Sequence, residues 1–155
     1  MLAEARRASR NEGMQRSRGG VEPPDDVYTM MRIVYPAVFL AMFAEGFWRG
    51  APPLANWAAG VAFLAAAKCL KWWAIASLGS SWTFRVIVVP GAPLVAGGPY
   101  RWLRHPNYVA VVGELAGVAI ANGARIAGPL SLAVFGWLIW RRVAVENRAL
   151  TTAAR

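Results

Sequence analysis

The chain is poor in the residues that most often build a soluble active site. It has one cysteine, one histidine and only eight acids against 17 basic residues. A lone cysteine, Cys69, excludes an internal disulfide, and with a single histidine it leaves no metal cluster to propose. Cys69 sits in an apolar run and reads as a small core hydrophobe. Charge is scarce as well. Charged residues make up 16% of the chain and hydrophobic residues 57%, where a soluble domain has about a quarter charged and about half apolar. With eight tryptophans and a mean hydropathy of +0.36, this is the composition of an integral membrane protein. The net charge of +9 does not point to nucleic acid, because the basic residues flank hydrophobic segments instead of forming one soluble patch. In a membrane protein such placement reports orientation.

Residues 1–26 are polar and rich in arginine, glycine and serine, without hydrophobic periodicity, and are expected to form a disordered cytoplasmic tail. Residues 27–155 are expected to form an all-α membrane domain of about four spans, near 28–48, 54–73, 105–121 and 126–140, each close to the roughly 20 residues a bilayer requires. Arg49-Gly50-Ala51-Pro52-Pro53 is a turn. Trp72 and Trp73 read as an interfacial belt, with Lys68 and Lys71 snorkelling to the same headgroups. Gly79-Ser80-Ser81 breaks the second helix. Trp82–Val89 is too short to span and is expected to lie extended on the membrane surface. Past the fourth span the helix continues beyond the membrane. Four spans place both termini together, and only Arg49 and Arg125 then fall on the opposite side, which makes the termini and the 79–104 loop cytoplasmic.

The densest chemistry lies in Gly97–Tyr108. Arg101, Arg104, His105, Asn107 and Tyr108 crowd the start of the third span, where Pro106 takes the favoured first helical position. A lone histidine there would usually be a plain interfacial polar residue. The arginines beside it and the N–H groups of a helix N-terminus together make a natural carboxylate or phosphate site. Glu114, seven residues beyond Asn107 and on the same face, is an acid inside an apolar span and so a functional candidate by default. Arg142 and Glu146, spaced i,i+4, form at minimum an exposed pair worth about 0.3–0.5 kcal/mol. They emerge on the same side as His105 and can close over the same pocket.

Three motifs carry a resemblance: Gly98-Pro99-Tyr100-Arg101-x-x-Arg104-His105-Pro106-x-Tyr108, the upstream Leu78-Gly79-x-x-Trp82, and the terminal Arg142-Val143-x-x-Glu146-x-x-x-Leu150. Together they resemble the isoprenylcysteine carboxyl methyltransferase family over about residues 71–150. The resemblance implies S-adenosylmethionine bound at the cytoplasmic membrane face, between the Arg-His-Pro loop and the C-terminal helix, with a lipid-like acceptor arriving from the bilayer. By position, Gly98, Pro99, Tyr100, Arg104, His105, Pro106, Tyr108 and Glu114 would hold the cofactor. Arg104, His105, Arg142 and Glu146 would carry catalysis, Arg142 and Glu146 closing the pocket and placing the acceptor. Asn147 stands where the family usually has a second glutamate, Ala110 where it has a glycine, and the family's aromatic-rich tail does not follow this helix. The ending and the Arg85–Gly91 segment resemble a bacterial branch that methylates phenolic polyketide lipids. A carboxylate acceptor needs no base, whereas a phenol needs one, which His105 or Glu146 could supply. The rival readings are an NADPH-dependent membrane reductase of the steroid-reductase type, which shares the Arg-His-Pro-Asn-Tyr signature, and a non-catalytic scaffold binding lipid headgroups through Arg85, Arg101 and Arg104. So short a chain leaves room for a homo-oligomer or a partner subunit that seals the site.

Overall fold

A computed structural model describes residues 2–153. The described chain is all-helical: α1 (Leu2–Ser17), α2 (Tyr28–Arg49), α3 (Leu54–Leu78), α4 (Pro106–Asn122) and α5 (Ala127–Ala153), with short 3-10 turns at Gly79–Ser81 and Gly98–Arg101. Among the described residues there is no strand, only an isolated antiparallel bridge between Val21 and Val88. Two helices, α2 and α3 with its terminal turn, are long and apolar enough to cross a membrane.

Prolines and glycines place the helix ends. Pro53 caps α3 and Pro106 opens α4, where a missing N–H is harmless. Gly123 ends α4 in the left-handed conformation (φ +62°). The acid near the end of α2 has a structural task. Glu45 accepts the backbone N–H groups of Arg125 (3.0 Å), Ile126 (3.1 Å) and Ala127 (2.6 Å), and so satisfies the orphan donors at the start of α5.

The core is the seam where α2, α4 and α5 meet, centred on Met42, Leu115, Phe135 and Leu138. The α3–α4 contact is closer still, because small residues line it. A Cβ on Gly60 would collide with the backbone of Ala121, and one on Gly117 would stand 2.7 Å from the backbone nitrogen of Leu64. Small residues at helix contacts allow this approach where lipid removes the hydrophobic drive for association.

Four expectations are corrected. Residues 2–17 form helix α1 instead of a disordered tail. Its inward face is Glu4, Ala8, Asn11 and Gln15, all buried, a stripe at helical spacing made of polar and small residues that no hydrophobic period reveals. Asn11 donates to the carbonyls of Gly79 (3.0 Å) and Trp82 (2.7 Å), and Gln15 to that of Ser80 (3.1 Å), so α1 binds carbonyls of the turn that follows α3. Trp82–Val89 does not lie free on a membrane surface. Trp82 and Val86 are buried, and the segment is held beneath residues 15–22. Lys68 and Lys71 do not snorkel: both face Glu114, at 3.0 and 3.4 Å. Cys69 is exposed and faces outward from α3, because Ala67 and Lys71 occupy the inward positions of that helix turn.

Candidate functional site

Two concavities stand out among the described residues. One, about 770 Å³, is an open groove between α2 and α5. Its walls are nearly all apolar, and its two charged residues, Glu45 and Arg49, pair with each other at 2.6 Å. The other, about 650 Å³, lies among α2, α4, α5 and the 79–95 segment, with Glu4 and Gln15 of α1 also on its wall. This second cavity collects the chemistry.

Tyr100, Arg104, His105, Tyr108, Arg142 and Glu146 all line it. They come from three places in the chain: the 3-10 turn, the start of α4 and the C-terminal half of α5. Pro106 sets the first turn of α4, so His105 and Tyr108 fall three residues apart on one face and their rings stack at 5.5 Å between centroids. The Tyr108 hydroxyl is the hub. It donates to Glu146 Oε2 at 2.9 Å and accepts from Arg142 Nε at 2.9 Å. His105 Nδ1 lies 3.7 Å from the same Glu146 oxygen. Arg142 and Glu146 are therefore joined through Tyr108, where the sequence spacing predicts a direct i,i+4 salt bridge. Arg142 turns instead to Asp26 (3.0 Å) and the Phe84 carbonyl. Burial, and after it the nearby Glu146 carboxylate, push the Tyr100 phenol well above its ordinary value, so this ring stays neutral throughout the physiological range.

The other sequence candidates stand off the cavity wall. Gly98 adopts φ +58°, and a side chain there would collide with Ser77 of α3; its task is conformational. Pro99 and Pro106 are fully buried and fix the backbone on either side of Tyr100 and His105. Glu114, expected among the cofactor residues, is 1% exposed and does not reach the cavity. It accepts the Tyr35 hydroxyl and pairs with Lys68 and Lys71. Tyr35 and Lys71 do line the cavity, so Glu114 holds two wall residues from behind.

Several wall residues escape a reading of motifs. Phe84 precedes the Arg85–Gly91 segment and belongs to no motif, and Arg85 is expected from sequence only as a contact for lipid headgroups. Asn107, the unspecified position of the Arg-His-Pro-x-Tyr run, lines the cavity with a buried Oδ1 that has no hydrogen-bond partner.

The sequence model of the isoprenylcysteine carboxyl methyltransferase family matches residues 60–152. The uncharacterized protein YpbQ of Bacillus subtilis (strain 168) is 30% identical over 148 residues, covering 96% of this chain and 88% of its own length. An uncharacterized protein of Haemophilus influenzae (strain ATCC 51907 / DSM 11121 / KW20 / Rd) is 21% identical over 143 residues, covering 92% and 83% respectively. No solved structure matches.

Proposed function

The chain belongs to the isoprenylcysteine carboxyl methyltransferase family, a family of membrane methyltransferases, and we propose that it transfers a methyl group from S-adenosylmethionine to an oxygen of a lipid-like acceptor at the cytoplasmic membrane face. The observation that carries this reading is the Tyr108 hub, which gathers His105, Arg142 and Glu146 on the wall of one cavity. At about 650 Å³, the cavity falls within the ~300–1,000 Å³ range of small-molecule sites.

The residues present suit the cofactor. Its sulfonium and α-ammonium are cationic, and Glu146 and Glu4 supply carboxylates on the wall. The Tyr100, His105 and Tyr108 rings offer π-faces to a cation. Arg104 suits a carboxylate. When bound, S-adenosylmethionine supplies an electrophilic methyl group. The protein's own task is then alignment and exclusion of water. Arg142 and Tyr108 hold Glu146 in one orientation, and Phe84, Val86 and Ile87 add apolar surface to the wall. For a carboxylate acceptor this alignment suffices. For a phenol, the Glu146 carboxylate and the His105 ring stand ready to receive the proton.

In this reading α4 and α5 are also spans, the chain crosses the bilayer four times, and both termini are cytoplasmic. A prenylcysteine-type carboxylate and an alkyl phenol or polyketide lipid are the two acceptor classes it admits. Isothermal titration of the detergent-purified chain tests it: S-adenosylmethionine and S-adenosylhomocysteine are expected to bind and NADPH is not. Arg104→Ala and His105→Ala are each expected to weaken S-adenosylmethionine binding by at least about tenfold, or about 1.4 kcal/mol. Unchanged affinity in both variants would remove the cofactor from this cavity, and binding of NADPH alone would favour a reductase.

A further inference from the structure

Asp26 lies just ahead of α2, at the end of the stretch that reads in sequence as tail. Both of its carboxylate oxygens are engaged. Oδ1 accepts the Tyr28 backbone N–H at 3.1 Å and Arg142 Nη1 at 3.0 Å, and Oδ2 accepts the Val86 backbone N–H at 2.9 Å. The two side chains are 5% and 6% exposed. Arg142 Nη2 donates to the Phe84 carbonyl and Nε to the Tyr108 hydroxyl. A guanidinium is planar and rigid, so fixing its two terminal nitrogens fixes the direction of the third donor.

From this geometry we propose that Asp26 is a positioning residue of the site: it sets the Arg142 guanidinium so that Nε holds the Tyr108 hydroxyl against Glu146. The proposal rests on the reading of the cavity as the S-adenosylmethionine site. Asp26 does not itself line the cavity, and its link to the Tyr108 hydroxyl runs through Arg142. The neighbouring chain keeps Asp26 in place. Glu22 pairs with Arg85, Asp25 with Arg148, and Val21 bridges Val88 in both backbone directions at 2.9 and 3.0 Å. Each contact joins residues 21–26 either to the 79–89 segment or to α5, the two pieces that Asp26 itself links. The N-terminal stretch is thus part of the site's framework, and the Asp26 side chain, 5% exposed, is aimed at the buried Arg142.

An ion pair that only stabilises the fold and one that aims a binding residue differ in what happens once Arg142 is gone. The test is a double-mutant cycle read by S-adenosylmethionine titration of the full chain in detergent: wild type, Asp26→Asn, Arg142→Gln and the double variant. Asp26→Asn is expected to weaken binding about tenfold, the scale on which residues behind a binding group act, and Arg142→Gln at least as much. In the Arg142→Gln background, Asp26→Asn is expected to add less than about twofold. Asp25→Asn breaks only the exposed pair with Arg148, whose side chains are 51% and 64% exposed, and leaves the Glu22–Arg85 and Val21–Val88 contacts to hold the segment, so affinity is expected to stay within about twofold of wild type. Asp26→Glu keeps the charge and carries the same comparison if Asp26→Asn does not accumulate. Equal losses in both backgrounds, or wild-type affinity in Asp26→Asn, would overturn the positioning role while leaving the cofactor site standing. Failure of the wild type to bind S-adenosylmethionine would overturn the methyltransferase reading and this proposal with it.

Discussion

A carboxylate buried in an apolar helix bundle is strongly unfavourable unless charge and hydrogen bonds compensate it. Glu114 meets that condition with Tyr35, Lys68 and Lys71, and Lys71 adds Glu4 at 3.4 Å. Two acids and two lysines make the group neutral overall, with the more buried lysine placed between the acids. Glu114→Gln would leave Lys71, 7% exposed, with a buried charge facing Glu4 alone. The expected loss is about 3–5 kcal/mol, read as a lowered midpoint of thermal unfolding followed by circular dichroism. Lys68→Met should lower it less, since that side chain is 41% exposed. Glu114→Gln combined with Lys71→Met should recover much of the loss. An unchanged midpoint in Glu114→Gln would mean that this carboxylate is not ionised where it stands. The acid itself is conspicuous in the sequence. Its partners are not, because a lysine one turn from an interfacial tryptophan is indistinguishable, by sequence alone, from one that reaches for headgroups.

At the level of elements, the α3–α4 seam turns on glycines whose missing Cβ is the point of contact. Gly117→Ala would place a methyl group 2.7 Å from the Leu64 nitrogen and 2.9 Å from its Cα, backbone atoms that cannot rotate away. The helices must separate, at a cost of about 1–3 kcal/mol. Gly13 lies in α1 with nothing within 4 Å of such a methyl, so Gly13→Ala should stabilise by about 0.5–1 kcal/mol through helix propensity. The two unfolding midpoints should therefore move in opposite directions; a shared direction would contradict the seam. The same contrast explains what the sequence could reveal. Helices α2 to α5 are legible because long apolar runs bounded by proline and glycine have few other solutions. The Arg104-His105-Pro106-x-Tyr108 turn is legible because its groups are local. Helix α1 buries Glu4, Asn11 and Gln15 against backbone carbonyls and a lysine, so its inward face lacks the apolar period that marks an amphipathic helix. Asp26 is unreadable for a related reason: its partner Arg142 lies 116 residues away, and no spacing rule connects them.

For the whole molecule, the consequential question is on which side of the membrane the cavity opens. Its polar end is built from the 79–105 stretch, the far half of α5 and the N-terminal segment, which α1 and Asp26 bind into one body. Arg85, Arg101, Arg104, Arg141, Arg142 and Arg148 all belong to these pieces, while the α2–α3 and α4–α5 connections carry Arg49 and Arg125. Basic residues near short loops stay on the cytoplasmic side, so the proposed four crossings carry the expectation that the cavity mouth opens there. Cys69 is the one native thiol, and replacing it with alanine gives a clean background for single cysteines. Ala51 in the α2–α3 turn and Ala96 in the loop before α4 are both exposed. In intact cells, a membrane-impermeant maleimide should label Ala51→Cys, and it should reach Ala96→Cys only after lysis. Labelling of Ala96→Cys from outside would put the cavity mouth away from its cofactor and end the methyltransferase reading, however well the purified chain bound it. Labelling of neither until lysis would mean that the α2–α3 turn does not reach the outer surface, so that α2 and α3 lie along the membrane instead of crossing it.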